Sequence, residues 1–173
     1  MEIQTERLYI RSLFPTDWEQ MQKIFIDFST SKYAIYDAPF PNDKHEIQTL
    51  TRRFADSNLF FAVFQKNSSE MLGYVCFHED HGIYDLGFCF HSVYHARGYA
   101  FEATSTMMKY LIHNHRVKGF TAGTALDNAP SCALLKKLGF ICQAIQSLSF
   151  HKDSHGKDIV FQGGNFVWQE NLS

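Results

Sequence analysis

The sequence predicts a single α/β (α+β) domain built on a mixed, mostly antiparallel sheet with flanking helices. Three observations predict it. Apolar runs of strand length fill residues 59–91 and are broken by the polar turns NSSE and DHG, the pattern of an antiparallel meander. Segments on both sides of that meander repeat their apolar residues at helical intervals. The 173 residues contain no repeat, low-complexity stretch or compositional break, so residues 1–173 are expected to form one domain.

The elements follow in order. TERLYIRSL at 5–13 alternates Leu8, Ile10 and Ser12 with Arg7, Tyr9 and Arg11, which predicts a half-buried strand. Thr16 followed by Glu19 has capping-box spacing, and Trp18, Met21, Phe25 and Phe28 then mark a first helix. A second helix is predicted from about Asp43, with Ile47, Leu50 and Phe54 as its apolar face. Strands are expected at 59–66, 71–79 and 83–91. From Tyr99, the small or apolar Ala100, Ala103, Thr104, Met107, Met108 and Leu111 trace the inward face of a third helix. GFTAGTAL at 119–126 reads as a buried strand. Pro130 at the start and Gly139 after the end bracket a short fourth helix. Strands at 140–150 and 159–168 complete the order β-α-α-β-β-β-α-β-α-β-β.

Composition excludes several classes. The formal charge is −2 with 16 Lys and Arg, too little positive excess for charge-driven binding to nucleic acid or anionic lipid. The longest strongly apolar run, LFFAVF at 59–64, falls far short of the roughly 20 residues that cross a bilayer. Glu2, Glu6, Arg7 and Arg11 leave no room for a signal-peptide core, so no membrane association and a cytoplasmic location are expected. Cys76, Cys89, Cys132 and Cys142 lie among apolar neighbours without C-x-x-C spacing; buried free thiols are favoured, with disulfides as the alternative. The histidine pairs His78/His81 and His113/His115 lack an obvious third ligand, so no metal is expected.

The informative segment joins the strand ending near His91 to the helix starting near Gly98. A helix start exposes unpaired N–H groups, and Gly98 with the small Ala96 and Ala100 would let an anion approach the backbone. That combination suits a phosphate or pyrophosphate, although an ordinary strand-to-helix turn would look the same. Neither G-x-G-x-x-G nor G-x-x-x-x-G-K-[ST] occurs, so a dinucleotide or nucleoside triphosphate site is unsupported.

His95-Ala96-Arg97-Gly98-Tyr99-Ala100 resembles the [QR]-x-x-G-x-[GA] pyrophosphate loop of the GNAT acetyltransferases. Four further segments resemble the RimJ/RimL-like branch, whose members acetylate ribosomal-protein N-termini. They are TERLYIRSL; Asp85-Leu86-Gly87-Phe88; Phe101-Glu102-Ala103; and Asn128-Ala129-Pro130-Ser131 followed by Lys137-Leu138-Gly139-Phe140. They occur in the family's order over nearly the whole chain.

The resemblance implies a GNAT fold with a central splayed pair of parallel strands, here 83–91 and 119–126, between which acetyl-CoA would lie. It implies that the backbone of Cys89, Phe90 and His91 pairs with the pantetheine arm. It also implies that the amides of His95, Ala96, Arg97, Gly98, Tyr99 and Ala100 hold the pyrophosphate, and that Asn128 and Ser131 contact the pantetheine near sulfur. On the residues alone, Asn128 reads equally as a helix cap and Ser131 as a first-turn serine. His95 departs from the usual Gln or Arg, and Leu135 stands where many relatives carry a tyrosine general acid. Ser131 is therefore the candidate to orient or protonate the leaving sulfur. Asp85, where relatives carry Glu, is the candidate base through a water, or else an ordinary strand-end acid. His91 is a second candidate base.

The implied function is N-acetyl transfer from acetyl-CoA to a primary amine, foremost a protein N-terminal α-amine. A small amine such as a polyamine, amino acid or antibiotic is the alternative, and a non-catalytic acyl-CoA-binding module is a third reading. The acceptor would lie between residues 30–42, with aromatic Tyr33, Tyr36 and Phe40, and the late hairpin at 151–158. A monomer or homodimer is expected.

Overall fold

The computed structural model describes residues 1–168. Eight strands form one sheet in the order β1-β2-β3-β4-β5-β6-β8-β7. The strands are β1 (Glu2–Gln4), β2 (Leu8–Ser12), β3 (Phe60–Gln65), β4 (Met71–Asp80), β5 (Ile83–Phe90), β6 (Gly119–Ala125), β7 (Phe140–Lys152) and β8 (Asp158–Trp168). The helices are α1 (Trp18–Ser29), α2 (Lys44–Asp56), α3 (Tyr99–Asn114) and α4 (Ala129–Lys137). Every ladder is antiparallel except β5 with β6. This is the predicted mixed sheet with one parallel pair, flanked by helices.

Side-chain alternation along the strands divides the core in two. Leu8, Ile10, Val63, Leu72 and Phe77 face α3 and α4, where they meet Ala103, Met107, Leu111 and Leu135. Ala62, Phe64, Met71 and Tyr74 face α1 and α2 and pack on Met21, Ile24, Phe25 and Ile47. The aromatic richness is used in contacts such as Phe54 on Phe60, stacked at 4.0 Å, and Phe25 on Phe40, at 4.2 Å. The second stack anchors the loop between α1 and α2 (residues 30–43) to the domain.

Two local expectations are corrected. Residues 5–7 are not strand: the Thr5 hydroxyl accepts the Leu8 amide at 2.9 Å, and the Thr5 amide donates to the Leu8 carbonyl at 2.9 Å. The chain turns there, and β1 adds a short antiparallel edge beside β2. The Thr16–Glu19 capping box does not form either. Buried Asp17 instead accepts the Phe14 amide at 2.8 Å and both Arg11 nitrogens at 2.7 and 2.8 Å, and α1 follows a single 3₁₀ turn. Asp43 does cap α2, accepting from His45 and Glu46. The four cysteines are free, as favoured, but none is fully buried: Cys76, Cys89 and Cys132 are half-buried and Cys142 is exposed. No helix among the described residues is long and apolar enough to cross a membrane.

Candidate active site

The parallel ladder between β5 and β6 is short. It pairs Ile83 with Gly119, Tyr84 with Phe120 and Asp85 with Thr121, then stops although both strands continue. From Leu86 and Ala122 onward the strands diverge and leave an open V. Alternation decides which backbone groups face it. The His91 amide donates to the Leu72 carbonyl at 2.9 Å, which assigns His91, Cys89 and Gly87 to the ladder with β4. The free edge therefore belongs to Phe88 and Phe90. The Phe90 carbonyl, on that edge, accepts from the His95 ring Nε2 at 2.7 Å, so that nitrogen carries the proton. Of the three residues expected to offer their backbone, the ladder occupies Cys89 and His91 and leaves the Phe90 N–H open. Phe88, which sequence reasoning missed, joins it.

The loop above the V runs from His91 to α3. Asp27 of α1 fixes its beginning, accepting the Ser92 amide at 2.7 Å and the Ser92 hydroxyl at 2.6 Å. Its end adopts left-handed backbone at Ala96 (φ 58°) and Gly98 (φ 80°), and Gly98 caps α3. Among the described residues the amides of Ala96, Arg97, Gly98, Tyr99, Ala100 and Phe101 have no acceptor. Tyr99 is buried, while Arg97 and Gly98 are exposed. These donors at a helix N-terminus make an anion seat.

A staple holds this seat. Arg7 donates from Nη1 to the Arg97 carbonyl at 2.9 Å, and its Nε and Nη2 lie 2.7 and 2.6 Å from Glu102 Oε2. The guanidinium also lies 4.8 Å from the Tyr99 ring centroid. Thr5 donates to Glu102 Oε1 at 2.5 Å. Burial raises the Glu102 pKa, but the hydrogen bonds from Thr5 and Arg7 outweigh it and hold the carboxyl below its ordinary value. The Thr5-Glu6-Arg7 and Phe101-Glu102-Ala103 motifs, far apart in sequence, are thus one structural unit.

Across the V, Asn128 caps α4 by accepting the Ser131 amide at 3.3 Å. Ser131 lies one turn before Leu135 and lines the cavity; Leu135 is 1 % exposed and belongs to the core. A cavity of about 440 Å³ reaches from Asn128 and Ser131, past Leu86, Gly87 and Phe88, to the loop at 30–43. A second cavity, of about 460 Å³, adjoins it and is walled by Tyr36, Asp37, Asp85, Ile145, Phe150 and Phe161. Asp37, Gly123 and Thr124 border both.

Asp85 is exposed at the apex of the V, accepting the Thr121 hydroxyl at 2.8 Å. Asp37 was not singled out by the sequence. It stays open to solvent through the cavity, yet the protein crowding around it raises its carboxyl above the ordinary value, against the opposing Ala38 amide and His151. The His151 ring holds this loop on β7, donating from Nε2 to the carbonyls of Asp37 at 2.8 Å and Ala34 at 3.1 Å. Burial pushes the neighbouring Cys76 and Cys89 thiols up to about 12, which keeps both protonated at neutral pH.

A Cβ built on Gly123 would meet nothing within 4 Å. Gly123→Val should therefore fold with unchanged or slightly higher Tm, because valine suits a strand and glycine does not. Its side chain would occupy the junction of the cavities, and kcat/KM should fall about tenfold or more, roughly 1.4 kcal/mol. Steady-state kinetics beside a thermal melt checks this; full activity at normal Tm would contradict it.

A splayed parallel pair, a glycine-containing anion seat at a helix start and a cavity leading to a second cavity bordered by Asp37 and Asp85 make up the candidate active site. The chain belongs to the GNAT acetyltransferases: the family described as "Acetyltransferase (GNAT) domain" matches residues 7–141. It is 26 % identical over 141 residues to the uncharacterized N-acetyltransferase YnaD of Bacillus subtilis, covering 80 % of this chain and 82 % of that protein. The fold overlays a GNAT-family acetyltransferase from Bacillus anthracis with TM-score 0.77 at 23 % identity, covering 96 % and 97 % of the two chains. It also overlays RimL, a ribosomal L7/L12 alpha-N-protein acetyltransferase in complex with coenzyme A, with TM-score 0.77 at 12 % identity, covering 97 % and 98 %.

Proposed function

We propose that this enzyme acetylates a primary amine, and that its acceptor is a protein N-terminal α-amine of the ribosomal-protein type. The observation that carries the transfer is the separation of β5 from β6 beyond Asp85 and Thr121, which leaves a strand edge free beside the anion seat. Acetyl-CoA supplies the acyl group as a thioester. The amides of Ala96, Gly98, Tyr99 and Ala100 seat the pyrophosphate, together with Arg97, the only Lys or Arg in residues 95–100. His95 contributes through its ring, which anchors the loop to the Phe90 carbonyl. The N–H groups of Phe88 and Phe90 face the pantetheine and thioester, where a donor stabilises charge developing on the carbonyl oxygen.

Asn128 and Ser131 form the opposite wall. A CoA thiol with a pKa near the ~8.5 of cysteine leaves with little assistance, so a buried Leu135 in place of a tyrosine costs the reaction little. The Ser131 hydroxyl has no hydrogen-bond partner among the described residues and is free to orient the sulfur. Ser131→Ala should lower kcat about two- to fivefold, under ~1 kcal/mol, at unchanged Tm. An unchanged kcat would remove Ser131 from the reaction.

The α-amine reading draws on RimL, named for alpha-N-protein acetylation, and on chemistry. With pKa ~7.7–8.0, roughly one α-amine in ten is neutral at pH 7, so a carboxylate suffices as base. A second reading, a small amine, is favoured by the acceptor cavity itself: about 460 Å³ is the size of a small-molecule site. Incubation with acetyl-CoA and a panel of peptides, amino acids and polyamines, following CoA release and locating the acetyl group by mass spectrometry, separates them. Acetylation of peptide α-amines is expected; turnover of polyamines or amino acids alone would overturn the first reading in favour of the second.

A further inference from the structure

The acceptor amine arrives protonated, since primary amines have pKa values of ~7.7 to ~10.4. It must lose a proton before its lone pair can attack. Among the described residues, no Lys, Arg or His lines either cavity, and the only carboxylates that do are Asp37 and Asp85. They are not equivalent. Asp85 borders only the acceptor cavity, and its Oδ1 is engaged by Thr121. Asp37 borders both cavities, so it stands where an amine must cross to reach a thioester between Phe88 and Ser131. Its Oδ1 accepts the Ala38 amide at 2.7 Å, and its Oδ2 has no partner among the described residues.

An independent observation points to the same place. Tyr74 lines the cavity from β4 and is 6 % exposed, yet its hydroxyl has no hydrogen-bond partner among the described residues. Burial, with the nearby Cys89, Cys76 and Asp37, raises its pKa well above the ordinary value and keeps it a neutral phenol. The hydroxyl itself is open to the cavity, where it can donate to or accept from a polar ligand group. The Tyr36 and Phe161 rings, 5.2 Å apart, add aromatic faces that favour a cation.

We infer that Asp37 binds the acceptor's ammonium group and takes its proton, which assigns the acceptor to the amines presented as cations beneath the loop at 30–43 and leaves Asp85 outside the transfer. This rests on the amine-acetyltransferase reading but not on the acceptor being a protein. Asp37 Oδ2 accepts one proton from the ammonium. The freed lone pair forms the C–N bond as the C–S bond breaks, and sulfur leaves with the bonding pair. The second amine proton passes through solvent to the thiolate, and Asp37 returns its own proton to solvent. The groups facing Asp37 are His151 on β7, Tyr74 and Cys76 on β4, Cys89 and Asp85 on β5, and Tyr36 in its own loop.

The test is the pH profile of kcat/KM for wild type, Asp37→Asn and Asp85→Asn, using whichever panel amine the enzyme acetylates fastest, peptide or small. Failure of the α-amine reading changes which amine is used; failure of this inference changes the profile. For Asp37→Asn the loss should be about 100-fold near pH 7. It should narrow at least tenfold near pH 9.5, where solvent has already removed more of the proton, with KM for acetyl-CoA unchanged. Asp85→Asn should change kcat/KM by a factor that stays constant across the pH range. An Asp37→Asn deficit below about threefold, one that does not narrow with pH, or an Asp85→Asn deficit that does narrow with pH would each overturn the inference.

Discussion

Gly73→Ala should lower stability by about 2–3 kcal/mol, the range of overpacking in a tight core. A Cβ there would stand 2.4 Å from the Cys89 carbonyl oxygen and 2.6 Å from the Phe90 ring, and the first of these is backbone that no rotamer change can move. β4 or β5 must shift instead. Because Phe90 lies on the edge that faces the V, the damage reaches the site as well as the fold. For a domain of this size each kcal/mol moves Tm by about 2–4 °C, so a fall of roughly 5–10 °C is expected in a thermal melt. A Tm within about 1 °C of wild type would show that the strands separate at no cost.

Arg7→Ala should raise KM for acetyl-CoA about tenfold while leaving kcat at saturation within about twofold, a loss of ~1.4 kcal/mol in binding alone. Arg7 grips the loop through the Arg97 carbonyl, Glu102 and Tyr99. Without it the free amides remain, but the loop must be ordered by the ligand at the ligand's expense. The guanidinium is 43 % exposed, so its loss should change global stability by under ~1 kcal/mol. Arg7→Lys should recover only part of the affinity, since an ammonium cannot span Glu102 and Arg97 together. An unchanged KM would show the loop to be self-supporting. The pH sign follows from Glu102. Its folded pKa lies below the ordinary value, so its contribution is present above the ordinary carboxylate range and is lost as pH falls through the folded value. The grip should hold at neutral pH and fail in acid.

The parts of this molecule that were legible from sequence are those set by local chemistry. Gly98 marked a close approach to the backbone at a helix start, Pro130 and Gly139 bracketed α4, and the apolar run at 83–91 after the DHG turn placed β5. Asn128 proved a cap, as its type allows, while also lining the cavity. The illegible parts depend on registers and distant contacts. Whether Phe88 or Cys89 faces the V is a matter of strand parity, fixed only by the pairing of β4 with β5. Leu135 could be weighed as a missing acid only until its burial was known. Asp37 sits in a loop with no periodicity, and its position depends on Phe40 stacking on Phe25 and on His151, 114 residues away. The coupling of Thr5 and Arg7 to Glu102 was equally hidden, although all three residues belonged to recognisable motifs.

The outer strand β7 bears on solubility. It ends the sheet with thirteen residues and exposes Ile141, Ile145 and Phe150, the kind of border on which a stray chain could add itself. Its pairing with β8 slips twice, between Cys142 and Ala144 and between Leu148 and His151. Each slip bends and twists the strand, so the border is divided into short, differently angled pieces. A second strand laid along it would lose register at each break. The irregular pairing that shapes one wall of the second cavity thereby also guards a long apolar margin against aggregation.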